Sequence, residues 1–459
     1  MNAFKIALLG ATLLFMQAAR AGQDIKSNVF KGGDTITFVG DSITHMGYYG
    51  KFVEQYYATR FPNMRVDFRN KGIGGNQASD LLKRMDRDIL DAPSDVFTLM
   101  IGMNDVGRKN FTAEERAANK NCDAEIARRE KVYSENVAKV AEILAKNSRA
   151  MIFFTPSIFD QTATAKADPS VGLNDKLGEY GKIYAEIAKK YPSAKVVDMW
   201  GVMTKVNDEY QKTEGKDKSI IGADRVHPFD LGGFVMAAAF ISDLGEPAKV
   251  AEVSVEEKSF KTFNCDVSDF KRDGDKISFA LLERALPMVV SGQAKKAVEL
   301  TSFDDRFNRE ILSVADLKAG VYSLKIDGAN VGTFSENDFA KGVNLSKLKT
   351  PQAKQSLEVG NLCETLRTEE GKLRLIASVE VDSQKEIKEK NDRETLEIIR
   401  AKAEVKTVSE LFKWRAKRYL TVKPQQTEIA KAIAGIKDQI YAAAQPKPHK
   451  YEIEPAKQF

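Results

Sequence analysis

The chain has 459 residues, more than one typical domain contains, so two or three domains are expected. Its composition, with 43% hydrophobic and 29% charged residues, is typical of a globular protein. The net charge of +5 is too small and too evenly spread to indicate a nucleic-acid partner.

Residues 1–21 have the pattern of a secretory signal peptide. Lys5 gives a positive start, residues 6–16 form an apolar run, and residues 19–21 (Ala-Arg-Ala) form a cleavage site. The alternative is an uncleaved membrane anchor, but the run is shorter than the roughly 20 apolar residues that a bilayer span needs. We therefore expect export to the periplasm or the cell exterior, with no stable membrane insertion after cleavage.

The chain has three cysteines, Cys122, Cys265 and Cys363. In an exported protein Cys265 and Cys363 could pair, which would leave Cys122 free. No spacing resembles a metal site, and the chain has only three histidines. We expect no metal and no cofactor.

The first predicted element is a strand that runs directly into a helix. Residues 35–39 are β-branched or aromatic, Gly40 ends the strand, and Asp41, Ser42 and Thr44 favour a helix start. Ser42 would then lie at the carboxyl edge of a sheet, where open α/β folds bind ligands, and could act as a nucleophile. The alternative is that Ser42 merely caps the helix.

Strand-like runs then alternate with helical patterns up to about residue 247. The predicted strands are 65–70, 95–101, 150–156 and 195–200. The predicted helices are one with Leu81, Leu82, Met85 and Ile89 on one face, one that together with a long charged insertion covers about 112–147, and those at 174–190 and 230–244. This alternation predicts a parallel sheet covered by helices on both faces.

Two further strand ends carry distinctive residues. The loop Gly72–Gly75 follows one strand and Asn104 follows the next. The amide of Asn104 could donate to an oxyanion. The alternatives are a tight turn for the glycines and a simple loop cap for Asn104.

Asp224 and His227 form the most informative motif. Histidine is the usual base for a serine nucleophile, and a carboxylate three residues earlier can orient its imidazole. Of the other histidines, His449 lies in a Pro/Lys-rich tail. His45 and Asp105 are candidates for the rim of the site, with a solvent-facing position as the alternative for His45.

Four stretches that follow one another along the chain resemble, in the same order, the motifs of the SGNH hydrolases, also called GDSL esterases. They are residues 40–42 (Gly-Asp-Ser), the loop that ends at Gly75, residues 102–105 (Gly-Met-Asn-Asp) and residues 224–228 (Asp-Arg-Val-His-Pro). The similarity covers about residues 33–245. It implies a flavodoxin-like three-layer α/β/α sandwich with a parallel sheet.

The resemblance also implies roles for the site residues. The nucleophile would be Ser42, the base His227 and its partner Asp224, and the oxyanion hole would combine the N–H groups of Ser42 and Gly75 with the Asn104 side chain. The rival α/β-hydrolase pattern G-x-S-x-G does not fit, because its last position is Thr44 here.

The second half has a different pattern. After a catalytic domain at 22–247, we expect a small β-rich accessory module at 248–350 and a helical region at 351–459 with an extended tail from Pro446. Trp414 is expected to pack inside this helical region, and no aromatic binding platform is evident.

Together these features predict an exported serine esterase, with an O-acetyl group on a carbohydrate as the expected substrate. The alternatives are a lipid or thioester acylhydrolase, an acyltransferase, or a glycan-binding module on the same scaffold. The substrate would be a small-molecule or glycan ester, and the oligomeric state is left open.

Overall fold

The computed structural model describes residues 25–164 and 167–456, so the predicted signal segment lies outside the described residues. Within these residues, five parallel strands form the first sheet: β1 (Thr35–Gly40), β2 (Asp67–Gly72), β3 (Val96–Met100), β4 (Ala150–Phe154) and β5 (Lys195–Val197). Their order is β2-β1-β3-β4-β5, the flavodoxin-like order. The predicted flavodoxin-like sandwich is confirmed.

Helices connect these strands, and all of them except α4 share a hydrophobic core with the sheet. They are α1 (Ser42–Met46), α2 (Tyr48–Arg60), α3 (Ala78–Lys83), α4 (Ala113–Ala118), α5 (Cys122–Lys146), α6 (Leu173–Ala188), α7 (Met199–Glu214) and α8 (Phe229–Asp243). Every residue of β3 is buried, as expected for a parallel strand covered on both faces.

The predicted end of the strand at residues 195–200 is wrong. The strand stops at Val197, and Asp198 caps α7 by accepting a hydrogen bond from Gly201 N. Trp200 therefore lies in a helix, because an N-cap carboxylate satisfies the free N–H groups of the first turn.

The register of the first sheet determines where the functional loops meet. Gly40, the last residue of β1, pairs with Gly72 of β2 on one side and Met100 of β3 on the other. The segments that follow these three strands therefore begin side by side at the carboxyl edge of the sheet.

Two further sheets lie in the described residues of the second half. Their strands are β6 (Lys249–Val255), β7 (Phe260–Phe263), β8 (Cys265–Asp273), β9 (Lys276–Glu283), β10 (Arg309–Val314), β11 (Val321–Ile326), β12 (Ala329–Ser335), β13 (Val343–Asn344) and β14 (His449–Pro455). One is a mixed sheet of order β13-β10-β6-β7, and the other is antiparallel with order β12-β11-β14-β9-β8. The C-terminal segment thus forms an inner strand, β14, between β11 and β9.

The remaining helices are α9 (Ala294–Thr301), α10 (Phe303–Phe307), α11 (Glu336–Lys341), α12 (Pro351–Asp382), α13 (Asp392–Ala403), α14 (Glu410–Val422) and α15 (Gln426–Ala443). Helices α12 and α15 pack against Ala58 of α2, and α12, α13 and α14 share a separate small core. Among the described helices, none combines the length and the apolar character needed to cross a bilayer. The boundaries after 247 and 350 stay a prediction.

A possible disulfide and one expectation for the second half are both wrong. All three cysteines lie in the described residues and are buried free thiols. Cys265 and Cys363 belong to different hydrophobic cores, so they do not pair. Trp414 does not pack inside the helical region, because its side chain is 55% exposed.

Candidate active site

Ser42 is the first residue of α1 and is not its cap. Asp41 caps the helix, since its Oδ1 accepts a hydrogen bond of 3.0 Å from Ile43 N. The Ser42 hydroxyl instead forms a 2.8 Å hydrogen bond with Nε2 of His227. The capping alternative for Ser42 is therefore wrong, and its hydroxyl is available for proton exchange with an imidazole.

Asp224 orients the imidazole of His227. Its Oδ2 contacts His227 Nδ1, while its Oδ1 accepts backbone hydrogen bonds from Val226 N (3.1 Å) and His227 N (3.0 Å). Partial burial opposes ionisation of this carboxyl, but the hydrogen bonds from His227 and Val226 outweigh it and lower the pKa of Asp224. An ionised Asp224 keeps the proton of the neutral imidazole on Nδ1, so Nε2 can accept a proton from Ser42.

The loop between Asp224 and His227 is held by a residue that the sequence analysis did not single out. Arg225 adopts a φ of +64°, which is uncommon for a residue other than glycine. Its buried guanidinium donates to Asp160 O (2.7 Å) and Ala167 O (2.9 Å). These contacts hold the loop in a backbone conformation that would otherwise be costly.

Gly75 and Asn104 lie at the neighbouring strand ends. Gly75 has a φ of +85°, and among the described atoms none lies within 4 Å of the position where its Cβ would be. Asn104 donates one N–H from Nδ2 to Asn76 O at 3.0 Å, and its amide has a second N–H for a substrate oxygen. The Gly75 position therefore borders open space at the sheet edge.

Close backbone packing brings α1 against this loop. A Cβ on Gly72 would lie 2.6 Å from Thr44 C and 2.8 Å from His45 Cα, so a side chain has no room there. A Cβ on Gly74 would lie 3.7 Å from Ser42 Cβ. The glycines thus let the loop approach the serine.

The structure joins Ser42, His227 and Asp224 by hydrogen bonds and places Gly75 and Asn104 in the segments that follow the neighbouring strands β2 and β3. Residues 38–232 match the model of the GDSL-like Lipase/Acylhydrolase family. The chain carries a GDSL-like acylhydrolase domain. Through this domain, residues 38–232, the chain is a serine carboxylic ester hydrolase.

One relative is similar to about half of this chain and another to nearly all of it. An acetylxylan esterase from Geobacillus stearothermophilus is 24% identical over 232 residues, which cover 46% of this chain and 94% of the relative. The solved structure of a gut microbial diltiazem-metabolizing enzyme is 28% identical and covers 95% of this chain and 100% of its own, with a TM-score of 0.85. The similarity to the diltiazem-metabolizing enzyme therefore includes the C-terminal half of this chain.

A buried cluster of charges lies beneath the Gly75 loop of the GDSL-like domain. Arg84 donates to Asn76 Oδ1 (2.7 Å), Lys71 O (2.8 Å) and Gly40 O (3.2 Å). Asp88 contacts Arg84 and accepts two hydrogen bonds, of 2.8 and 2.9 Å, from Arg374 of α12. Burial opposes ionisation of Asp88, but the surrounding cations outweigh it and lower its pKa.

Removing the Asp88 carboxylate is expected to destabilise the protein strongly. Asp88→Ala leaves Arg84 and Arg374 as buried cations without their anion, which costs about 3–5 kcal/mol in the free energy of unfolding. Urea unfolding followed by circular dichroism measures this loss. Asp91→Ala is the matched control, because Asp91 is 46% exposed, pairs with Lys71 and is expected to contribute no more than about 1 kcal/mol. Equal effects of the two substitutions would contradict a supporting role for the cluster.

His45 and Asp105 do not have the surroundings of solvent-facing groups. Nδ1 of His45 is buried, and burial together with the charges of Arg374, Arg415 and Arg84 lowers its pKa to about 3. The His45 side chain is half-buried, and its imidazole is uncharged at neutral pH. Asp105 is buried and accepts a 2.8 Å hydrogen bond from Ala78 N at the start of α3. A rim position for either residue stays a prediction.

Asp105 is expected to make stability depend on pH. Burial raises its pKa to about 7, above the value of about 3.9 for an unfolded chain. Its stabilising contribution is therefore complete below about pH 4 and is lost as the pH rises through about 7. Relative to Asp105→Asn, which stays neutral, the wild type should lose unfolding free energy between about pH 4 and about pH 7. Urea unfolding across this range measures the difference. The exposed Asp123→Asn is the control, and a constant difference for Asp105→Asn would contradict the assignment.

Among the described residues, no cluster of three or more His, Cys, Asp or Glu side chains could hold a metal ion.

Proposed function

We propose that the protein removes O-acetyl groups from carbohydrates through an acyl-enzyme on Ser42. The observation that carries the proposal is the 2.8 Å hydrogen bond from Ser42 to His227 Nε2, with Asp224 on the other imidazole nitrogen. A serine becomes a competent nucleophile when an oriented base can take its proton.

In the first step Ser42 Oγ attacks the acyl carbonyl carbon while its proton moves to His227 Nε2. The N–H groups of Ser42 and Gly75 and the second N–H of Asn104 stabilise the oxyanion. The bond between the acyl carbon and the alcohol oxygen then breaks, and His227 gives its proton to the leaving alcohol. The acetyl group remains on Ser42.

In the second step water attacks the acetyl carbonyl and gives its proton to His227. The tetrahedral intermediate collapses, acetate leaves, and Ser42 regains its proton from His227. Asp224 stabilises the imidazolium in both steps, because an ionised carboxylate beside Nδ1 favours the charged ring.

Two relatives support different alcohol portions of the substrate. The acetylxylan esterase supports an acetylated carbohydrate, and its similarity covers 46% of this chain. The diltiazem-metabolizing enzyme, which matches nearly the whole chain, favours a small-molecule ester as a second candidate. The acyl-enzyme mechanism is the same for both candidates.

Hydrolysis rates on a set of esters test the proposal. We expect kcat/KM for para-nitrophenyl acetate to exceed that for para-nitrophenyl octanoate by about tenfold or more, since a site shaped for a short acyl group excludes added methylenes. Acetylated xylo-oligosaccharides and diltiazem, assayed in parallel, distinguish the two alcohol portions. Preference for octanoate would indicate a lipid acylhydrolase. Binding of glycans without release of acetate would indicate a binding module.

Export is part of this proposal. The candidate signal, residues 1–21, precedes the GDSL-like domain, and acetylated polysaccharides are substrates found outside the cytoplasm. Expression of the full chain in a bacterial host, with N-terminal sequencing of the exported protein, should yield a mature chain that begins at Gly22. Retention of the uncleaved chain in the membrane fraction would contradict export.

A further inference from the structure

Two arginines of the C-terminal helices hold the loop that carries Gly75. Arg374 of α12 donates from Nε to Gly72 O at 3.1 Å. Arg415 of α14 donates from Nη2 to Gly74 O at 3.3 Å, across 341 positions of sequence. The C-terminal region therefore contacts two carbonyl groups of this loop in the GDSL-like domain.

The contact at Gly74 has a geometric consequence for Gly75. The Gly74 carbonyl and the Gly75 N–H belong to one peptide group, which is planar, and in the trans form these two bonds point in opposite directions. Holding Gly74 O against Arg415 thus fixes the direction of the Gly75 N–H on the other side of the peptide. A cation on the oxygen also polarises the peptide and makes its N–H a stronger donor.

Arg415 also lies close to the nucleophile. An atom at the Cβ position of Gly74 would lie 3.0 Å from Arg415 Nη2 and 3.7 Å from Ser42 Cβ. The Arg415 side chain is only 13% exposed and lies 3.5 Å from the carboxylate of Asp382 at the end of α12. The guanidinium is therefore held beside the loop rather than extended into solvent.

We propose that Arg415 is a positioning residue for the oxyanion hole and acts through the peptide between Gly74 and Gly75. The inference rests on the proposed function, because it requires the Gly75 N–H to bind the oxyanion. It makes helix α14 part of the active site of the GDSL-like domain. Arg415 does not touch the reacting atoms. Because it positions the Gly75 N–H, its loss is expected to raise the energy of the transition state and to leave substrate binding unchanged.

The test compares Arg415→Ala with Arg418→Ala in the full chain. Arg418 lies on the same helix, with its guanidinium 4.8 Å from the ring of the exposed Trp414, and serves as the matched control. We expect Arg415→Ala to lower kcat for para-nitrophenyl acetate by about tenfold while KM changes by less than about twofold. Arg418→Ala should leave both values unchanged.

A boronic acid gives a readout that a purely structural role would not change. Phenylboronic acid forms a tetrahedral adduct with a reactive serine and so reports on the oxyanion hole. Its inhibition constant should rise in Arg415→Ala by about the factor by which kcat falls. Added guanidinium ion should restore part of kcat to Arg415→Ala, and Arg415→Lys should retain an intermediate kcat because it keeps one donor and the charge.

Ser42→Ala, assayed in parallel, separates failure of this inference from failure of the proposed function. An inactive Ser42→Ala with a fully active Arg415→Ala would overturn the inference alone. An Arg415→Ala with raised KM and unchanged kcat would also overturn it, since Arg415 would then bind the substrate directly. If Arg415→Ala does not fold, the kcat and boronate comparisons on Arg415→Lys and Arg415→Gln decide the question. Turnover by Ser42→Ala would overturn the proposed function itself.

Discussion

Ser42→Ala is expected to lower kcat for ester hydrolysis by about 10⁶-fold. The substitution removes the oxygen that would form the acyl-enzyme, so His227 could only activate water from a position arranged for a serine. Because the hydroxyl of Ser42 does not cap its helix, its loss should leave the fold intact. The measurement is steady-state hydrolysis of para-nitrophenyl acetate, together with the thermal midpoint of unfolding.

The matched control is another serine at the start of a helix. Ser335 caps α11, far along the chain from the candidate site, and its side chain accepts a hydrogen bond from Asp338 N. Ser335→Ala should cost about 1 kcal/mol in the free energy of unfolding and leave kcat unchanged. If Ser42→Ala kept a kcat within about tenfold of the wild type, Ser42 would not be the nucleophile.

Asp224→Asn is expected to lower kcat by about 10⁴-fold with little change in the fold. The Asp224 carboxylate accepts hydrogen bonds on both oxygens, from Nδ1 of His227 and from two backbone N–H groups. Asparagine can keep the backbone contacts through its oxygen, which leaves its NH₂ facing Nδ1. The imidazole proton then moves to Nε2, and His227 can no longer accept the proton of Ser42.

The change in kcat and in the thermal midpoint should be measured for Asp224→Asn and for a nearby control. Asp217 precedes the same loop, is 67% exposed and contacts Lys218 at 2.8 Å. Asp217→Asn should leave kcat unchanged. Equal, small effects of the two substitutions would show that His227 does not depend on Asp224 for its tautomer.

The fold of the first half could be predicted because its signals are local. A β-branched run, a glycine and a helix start near Ser42 specify one strand, turn and helix, and repetition of this pattern specifies a parallel sheet. The carboxyl ends of parallel strands share one edge, so Gly75 and Asn104 were expected near Ser42. The arrangement of these groups agrees with that expectation, and their catalytic roles remain proposals.

The charged support of the Gly75 loop could not be predicted from local patterns. Arg84, Asp88 and Arg374 are residue types that usually face solvent. The contact from Arg374 to Asp88 spans 286 positions, and nothing near either residue indicates the other. The contact of Arg415 could not be predicted from local patterns either, because its partner is the backbone carbonyl of Gly74 in a distant loop.

The exposure of Trp414 and the strand β14 do have a signal in the sequence. Phe412, Ala416 and Tyr419 lie four and three residues apart and form the buried face of α14, which turns Trp414 toward solvent. His449, Tyr451 and Ile453 alternate with more exposed residues, as in a strand with one buried face. Pro446 and Pro448 precede this alternation and favour extended backbone, which is compatible with a strand as well as with a free tail.

The measurement that tests the central claim most directly is covalent labelling of the active protein with a fluorophosphonate. Mass spectrometry of the digested protein locates the adduct, and residual esterase activity is measured on the same sample. We predict one adduct, on the peptide that contains Ser42, with activity lost in proportion to labelling and with no adduct in Ser42→Ala. An adduct on a different residue, or full activity in a protein labelled at Ser42, would contradict the acyl-enzyme mechanism.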